Sequence, residues 1–339
     1  MSRNGSVQLN IALGNYGHTA AFKDGTVPIE GVEAHFVEVE PIIAAFRRMV
    51  RDVEFDVCEM APATYMIARE AGAPFKALPV FVYRRLHHEG LVYRPDAGIS
   101  SPKDLEGKQV GVRAYSVSTG IWTRGILSDE YGVDLSKVGW VVDDEEHVAS
   151  LQLPPNVSHA PAGQSLVSMM ADGSLQAAFT GPAGIGRAGA PTAGWDAGKG
   201  GAPMVGWEEA SKGATVYPEM FPDAFELEKD WVRRTGIYPI HGLIVVKDEL
   251  LERYPWLARA LFDALAKSTE LYLDRLGRGD VRTEVDRHYM KMASVVGNPL
   301  PAGIEENRPA IEALIRYCHE QGLLKRSYQA GDFFVDPRA

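Results

Sequence analysis

Short strand-like runs, each ending abruptly in a polar cluster and followed by a segment of helical period, constrain the fold of this chain most. Val7 to Leu13 read as a strand that stops at Gly14-Asn15-Tyr16-Gly17-His18. Val32 to Val39 form a second strand after the turn at Gly31. Ile42 to Val50 repeat at helical spacing, with Arg47, Arg48 and Arg51 on the wet face. Phe55 to Met60 form a buried strand whose end carries Glu59, and Pro62 suits the first turn of a helix ending near Gly72. Phe75 to Val82 form another strand, followed by Tyr83-Arg84-Arg85-Leu86-His87-His88. Strands alternating with helices at this pace predict a parallel or mixed sheet covered on both faces. Ligands in such sheets bind beyond the carboxyl ends of the strands, where these polar clusters fall.

Gly90 to Arg94 read as a crossing strand, and SSPKDLEGK as a short polar helix and turn that opens a second domain. Residues 107–125, GKQVGVRAYSVSTGIWTRG, then alternate around Val110 and Val112 as a short strand does. Tyr115, Ser116, Ser118 and Thr119 form a polar turn, and Ile121, Trp122, Gly125 and Ile126 follow at helical spacing. The turn therefore leads into a helix N-terminus, whose free N–H groups and positive dipole end can hold an anion. Ser116, Ser118 or Thr119 can cap that helix, contact a ligand, or both; an ordinary capped strand–turn–helix is also open.

Strands at Val138–Val142 and Leu175–Thr180 and a helix around Gln164–Met170 complete this region. The run Asp143-Asp144-Glu145-Glu146 reads as a solvated loop rather than a metal site. Residues 181–206, rich in Gly, Ala and Pro, read as a long loop. They contain Gly184-Ile185-Gly186-Arg187-Ala188-Gly189, a literal G-x-G-x-x-G. Pro191 and a Gly-rich segment follow in place of the helix that a dinucleotide site needs, so no nicotinamide cofactor is expected. Ile237 to Val246 form an apolar strand, interrupted by His241 and Gly242, that can carry the chain back to the first domain. Helices are expected at Trp256–Leu276, Arg282–Met292 and Glu305–Gln321, with a loosely ordered tail at Phe333–Ala339.

Composition bounds the function classes. A chain of 339 residues is long enough for two ordinary domains, and 45% hydrophobic residues can fill their cores. A formal net charge of −10 argues against a nucleic-acid or anionic-membrane surface, although a local Arg and His cluster can still take a small anion. Cys58 and Cys318 make no disulfide framework and read as core thiols. The N-terminal MSRNGSVQLNIALGNY has no apolar signal core, and no stretch approaches a membrane span. The cytoplasm is the expected compartment unless an export signal has been removed, and a homo-oligomer stays open.

Several of these pieces carry a likeness to known proteins. ISSPKDLEGKQVGVRAYS resembles the segment opening the second lobe of many solute-binding proteins of the type 2 periplasmic-binding-protein fold. IALGNYGHTAAFKDG, EFDVCEM, FKALPVFVYRRLHHEGLVYR, VSTGIWTRGILSDEYGV, GIYPIHGLIVV and NPLPAGIEENRPAIEALIRYCHEQG resemble the 4,5-dihydroxyphthalate decarboxylase family. The resemblance implies an α/β, two-lobed fold with a ligand cleft between the lobes. Residues 1–93 and 242–339 would form lobe I, and 94–241 lobe II. It also implies a cytoplasmic carboxy-lyase of phthalate degradation, converting 4,5-dihydroxyphthalate to protocatechuate. The same fold admits a solute-binding protein that holds a small carboxylate without chemistry.

Losing CO2 from such an acid needs a proton at the ring carbon, a base for the phenol para to it, and cations for two carboxylates. No organic cofactor is required in principle. His18 and His241 are expected to move protons, with Glu59 orienting them or acting as a base. Arg84, Arg85 and Arg113 match carboxylates bidentately. Asn15, Tyr16, His88, Tyr115, Ser116, Ser118, Thr119 and Thr180 complete the expected contacts to a small aromatic carboxylate. Three or more of His18, Glu59, His87, His88 and His241 could instead hold a divalent metal, although they lack local metal-motif spacing. Each histidine can also be a satisfied structural side chain.

Overall fold

The computed structural model describes residues 6–185 and 217–338. The first run of elements is β1 (Val7–Ala12), α1 (Ala20–Lys23), β2 (Val32–Phe36), α2 (Ile43–Asp52), β3 (Val57–Met60), α3 (Pro62–Glu70) and β4 (Phe75–Arg84). Next come β5 (Leu91–Tyr93), β6 (Gln109–Gly111), α4 (Ser118–Tyr131), β7 (Gly139–Val142), β8 (Val157–His159), α5 (Leu166–Asp172) and β9 (Ala177–Phe179). The last are α6 (Ala224–Thr235), β10 (Ile240–Lys247), α7 (Asp248–Arg253), α8 (Leu257–Gly277), α9 (Glu284–Val296), α10 (Arg308–Glu320) and α11 (Ala330–Phe333). Most of the expected 181–206 loop, including Gly186 to Gly189 of the glycine motif, lies outside the described residues.

Contacts gather the chain into two compact units. Unit 1 holds 1–85, 231–313 and 328–339, and unit 2 holds 86–230 and 314–327. The chain thus passes between units four times, where two passages were expected. Leu91–Tyr93, read as a crossing, pairs antiparallel with β9 inside unit 2. Residues 314–327 join the same unit through Tyr317, whose hydroxyl donates to Asp129 at 2.8 Å.

In unit 1 the sheet order is β2-β1-β3-β10-β4. β1 runs parallel to β2 and β3, and β10 runs antiparallel to β3 and β4. Leu9, Ile11, Val57, Leu78, Ile244 and Val246 pack with Leu257, Leu261 and Leu265 of α8 in one core. Each such side chain contributes roughly 1.5–3 kcal/mol when fully buried. Because β3 lies between two other strands and is covered on both faces, all four of its residues are buried, Glu59 included. Pairing of Ile240 with Arg84 and of Gly242 with Tyr83 leaves His241 as the extra residue of a bulge, which re-aims its side chain.

In unit 2 the order is β5-β9-β6-β7-β8. Val141, Leu166, Met169, Met170, Leu175 and Ala178 form a core against it. Cys58 and Cys318 are buried and unbridged. Two surface expectations need correcting. Arg47 is buried, because α2 packs beyond its apolar stripe of Ala45, Phe46 and Met49. The tail is anchored too, with Phe333 and Phe334 buried and the Val335 N–H donating to Ala77 O at 2.9 Å. Among the described residues no helix is long and apolar enough to cross a membrane.

Candidate active site

The loop after β1 folds back on itself in unit 1. The Tyr16 N–H donates to Thr19 Oγ1 at 3.2 Å, and Lys23 Nζ donates to Leu13 O at 3.0 Å. This sets the Tyr16 ring flat against His18, with centroids 5.4 Å apart and planes at 6°, and against Tyr83 at 5.9 Å. β3 lies parallel to β1, with Ala12 level with Cys58, so Glu59 comes up just past the end of β1. There the Tyr16 hydroxyl donates to Glu59 Oε1 at 2.7 Å and the Gly14 N–H donates to Oε2 at 3.0 Å.

Burial is the main influence on the Glu59 carboxyl, pushing its pKa up to about 7, although Tyr16, Gly14 and Lys23 all favour its ionised form. The same burial and the neighbouring carboxylate hold the Tyr16 phenol well above its usual range, so Tyr16 is a hydrogen-bond donor at neutral pH. Gly242 stands beside this pair. Its backbone needs no left-handed conformation, but a Cβ there would lie 3.1 Å from Glu59 Oε1 and 3.0 Å from Tyr83 Cβ. The glycine therefore serves close approach.

Both candidate histidines of this unit are neutral at pH 7. His18 is 3% exposed, and desolvation draws its pKa down to about 4. Its Nε2 lies 2.8 Å from Val82 O. A carbonyl only accepts, so Nε2 carries the hydrogen and Nδ1 the lone pair. That Nδ1 is buried with no hydrogen-bond partner among the described residues. Tyr272 and Tyr289 meet the ring edge-on at 5.6 and 6.0 Å. His241 meets the Tyr83 ring edge-on at 5.4 Å, and desolvation together with the charge of Arg85 draws its pKa down to about 3.

Arg84 and Arg85 part company. Arg84 is buried, donates from Nη1 to Tyr238 O at 2.7 Å and from Nη2 to Asn307 Oδ1, and lies 4.6 Å from the centroid of the Tyr238 ring. Its hydrogen-bonding acceptors are neutral, so desolvation lowers its pKa to about 10. Arg85 is half-buried and forms no hydrogen bond or ion pair among the described residues. A cavity of about 500 Å³ opens beside Tyr16, with Asn15, Tyr272, Arg275 and Arg282 among its walls. This is the size of a small-molecule site. Arg275 and Arg282 are basic residues that the sequence reading missed, since nothing in their local sequence marks them. Arg275 is paired to Asp286 at 3.2 Å, and Arg282 to Asp280.

The remaining candidates lie in unit 2, where much of their polar capacity is already engaged. The acidic run is not a solvated loop. Asp144 is buried and pairs with Arg113 at 3.0 Å, so Arg113 has a carboxylate from its own chain. Glu146 accepts from the Tyr115 N–H at 2.6 Å and from both the N–H and the hydroxyl of Ser116. The N-cap of α4 is Val117, with no side-chain cap; Ser118 and Thr119 are instead its first helical residues, both buried. His88 bonds the buried carboxylate of Glu228, which also accepts from the His87 and His88 N–H groups at 3.2 and 3.0 Å. Thr180 starts a short 3-10 turn, and its N–H donates to Gly90 O at 2.8 Å. Among the described residues no group of three or more His, Cys, Asp or Glu is arranged to hold a metal ion.

Residues 30–152 match the family described as NMT1/THI5 like. A 4,5-dihydroxyphthalate decarboxylase of Comamonas testosteroni is 31% identical over 342 aligned residues, covering 97% of this chain and 96% of the relative. One from Pseudomonas putida is 35% identical over 179 residues, covering 50% of this chain and 69% of the relative. The periplasmic aliphatic sulphonate binding protein SsuA of Escherichia coli has the same fold. Its TM-score is 0.53 at 11% identity, covering 98% of this chain and 92% of that one.

Proposed function

The chain belongs to the 4,5-dihydroxyphthalate decarboxylase family, and from that premise we propose that it is a carboxy-lyase acting on a hydroxylated aromatic dicarboxylate. The substrate of choice is 4,5-dihydroxyphthalate, the product protocatechuate, and the setting phthalate degradation. The observation that carries this reading is the buried Glu59 carboxyl, with a pKa of about 7, held by the Tyr16 hydroxyl and the Gly14 N–H at the strand ends of unit 1.

The reaction breaks the bond between ring and carboxylate, leaves its electron pair on the ring carbon, and replaces CO2 with a proton. An acid for this step must hold its proton near neutral pH and give it up readily. Glu59 fits that role better than His18 or His241, which are neutral at this pH and have no spare proton to donate as imidazolium. The histidines suit the opposite task. Neutral His241 can accept a hydrogen bond from the substrate hydroxyl, which polarises the O–H bond and shifts electron density toward the para carbon. His18 holds the Tyr16 ring by stacking and so fixes the donor to Glu59. Arg85 is the proposed cation for a substrate carboxylate, because Arg84 is engaged within its own unit. The turn at Ser116, Ser118 and Thr119 remains the proposed cradle for a carboxylate in unit 2.

The test is to incubate the purified protein with 4,5-dihydroxyphthalate and follow CO2 release together with protocatechuate absorbance. Turnover that disappears in Glu59→Gln supports the reading. Substrate binding without CO2 release would leave a solute-binding protein in its place.

A further inference from the structure

In unit 2 the turn before α4 already holds a carboxylate, and it belongs to the chain itself. Glu146 accepts from the Tyr115 N–H at 2.6 Å, from the Ser116 N–H at 3.1 Å, and from the Ser116 hydroxyl. Behind the turn lies Arg124, fully buried, its guanidinium 3.9 Å from the centroid of the Tyr115 ring. Nη2 donates to Tyr115 O at 2.6 Å and Nε to Gln321 Oε1 at 2.7 Å, both neutral acceptors. Nη1 is buried with no hydrogen-bond partner among the described residues. Residue 120 is a glycine, and a Cβ there would stand 2.9 Å from this nitrogen.

Ser118 Oγ, at the first position of the 14-residue α4, is likewise buried and without a hydrogen-bond partner among the described residues. The opening N–H groups of a helix have no intrahelical acceptors and sit at its positive end. The first two turns of the helix therefore assemble a guanidinium, a hydroxyl and backbone donors. A buried guanidinium with only neutral acceptors is costly to hold. Asp144 is committed to Arg113, and Glu146 hydrogen-bonds the turn, its charge reaching the Arg124 guanidinium while Arg124 Nη1 and Ser118 Oγ make no hydrogen bond among the described residues.

We propose that Glu146 is a built-in competitor at this cradle. Its carboxylate holds the donors of Tyr115 and Ser116 until a ligand carboxylate displaces it, and Ser118 and Arg124 are the groups that the ligand gains. The ligand is taken as a carboxylate because the proposed substrate is one. Glu146 is half-exposed in the connection between β7 and β8, so it can leave without breaking a sheet or helix. The residue then sets selectivity, since a ligand must bind these donors better than a tethered carboxylate does.

The test is calorimetric titration of the full chain with phthalate, an unhydroxylated diacid, using wild type, Glu146→Ala, Glu146→Gln, Ser118→Ala and, as a charge control, exposed Glu145→Ala. Loss of the competitor should tighten phthalate binding by about 10-fold, the scale of one charge-assisted hydrogen bond. Ser118→Ala should weaken binding, and Glu145→Ala should leave it unchanged. Thermal melts check that each variant is folded, and Glu146→Gln serves if the alanine variant is not. Equal tightening in Glu145→Ala would reduce the effect to general charge and overturn the proposal. Unchanged or weaker binding in both Glu146 variants, with the Ser118 effect intact, would overturn the competitor and leave the cradle standing. Binding that ignores Ser118→Ala would remove the cradle as well.

Discussion

Replacing Tyr16 by phenylalanine tests the proposed acid directly. The ring that stacks on His18 and Tyr83 stays, and only the hydroxyl 2.7 Å from Glu59 Oε1 is lost. That hydrogen bond favours the ionised carboxylate, so its removal must raise the Glu59 pKa further above its starting point of about 7. A hydrogen bond to a charged group contributes roughly 1.5–3 kcal/mol, and one pKa unit is about 1.4 kcal/mol, so the rise should be roughly 1–2 units. If protonated Glu59 donates to the ring, kcat/KM falls as pH rises through its pKa, and this alkaline limb belongs to the free enzyme. The assay is kcat/KM for CO2 release from about pH 5.5 to 9.5 in both proteins, with thermal melts to confirm folding. The wild-type limb should lie near 7 and move upward in Tyr16→Phe. A limb that stays in place, or moves down, would refute the proposed action of Tyr16 on Glu59. A wild type with no limb near neutrality would refute Glu59 as the acid.

Four further outcomes follow from the same geometry. Glu59→Gln should lower kcat by about 100-fold or more with KM nearly constant, the usual size of an acid–base contribution; steady-state kinetics on the variant decide it. Arg85→Ala should chiefly raise KM. Arg84→Ala should instead lower Tm, because it removes the donors to Tyr238 O and Asn307 Oδ1 from a buried position, at a cost of about 2 kcal/mol or more. Stability should fall on acidification. The folded-state pKa values of His18 and His241, about 4 and about 3, lie below the unfolded value of 6.5, so the unfolded chain binds protons first as pH drops below 6.5. The stability is full above 6.5 and is lost toward pH 4, by roughly 3 kcal/mol for His18 alone. Glu59, with its raised pKa, acts in the opposite sense between 7 and 4.5 and offsets part of that loss. Urea melts at pH 7, 5.5 and 4.5 should show the decline, and His241→Gln should flatten it. A wild-type profile level across this range would contradict the neutral, buried imidazoles.

The fold was legible where its signals are local. Strand periods, the polar clusters that end them and the helix-opening Pro62 lie within a few residues of one another. They placed β1 to β4, the return strand β10 and the burial of Glu59. What local pattern cannot supply is the partner of a polar side chain. Arg113 and Asp144 are 31 residues apart, Ser116 and Glu146 are 30, His88 and Glu228 are 140, and Arg84 and Asn307 are 223. An arginine next to a serine turn reads as an anion site whether the anion is a ligand or a glutamate of the same chain. The protonation roles were out of reach for the same reason. Histidine stands closer than glutamate to neutral pKa in water, and only the degree of burial reverses their order here.

Arg84 and Arg85 show where the boundary between legible and illegible falls. Two adjacent residues at the end of a strand point to opposite faces, so one arginine turning inward and the other outward follows from strand period alone. Which one turns inward depends on register. β10 opposes Arg84 with Ile240 and Tyr83 with Gly242, and the bulge at His241 sets that offset. The same bulge brings His241 against the Tyr83 ring and leaves Gly242, without a side chain, 3.1 Å from Glu59 Oε1 at its Cβ position. One extra residue in a returning strand, distant in sequence, thus decides which guanidinium stays available, where the imidazole points and how closely the acid is approached. A change of register there would disturb all three together, while leaving the strand periods that disclosed the fold intact.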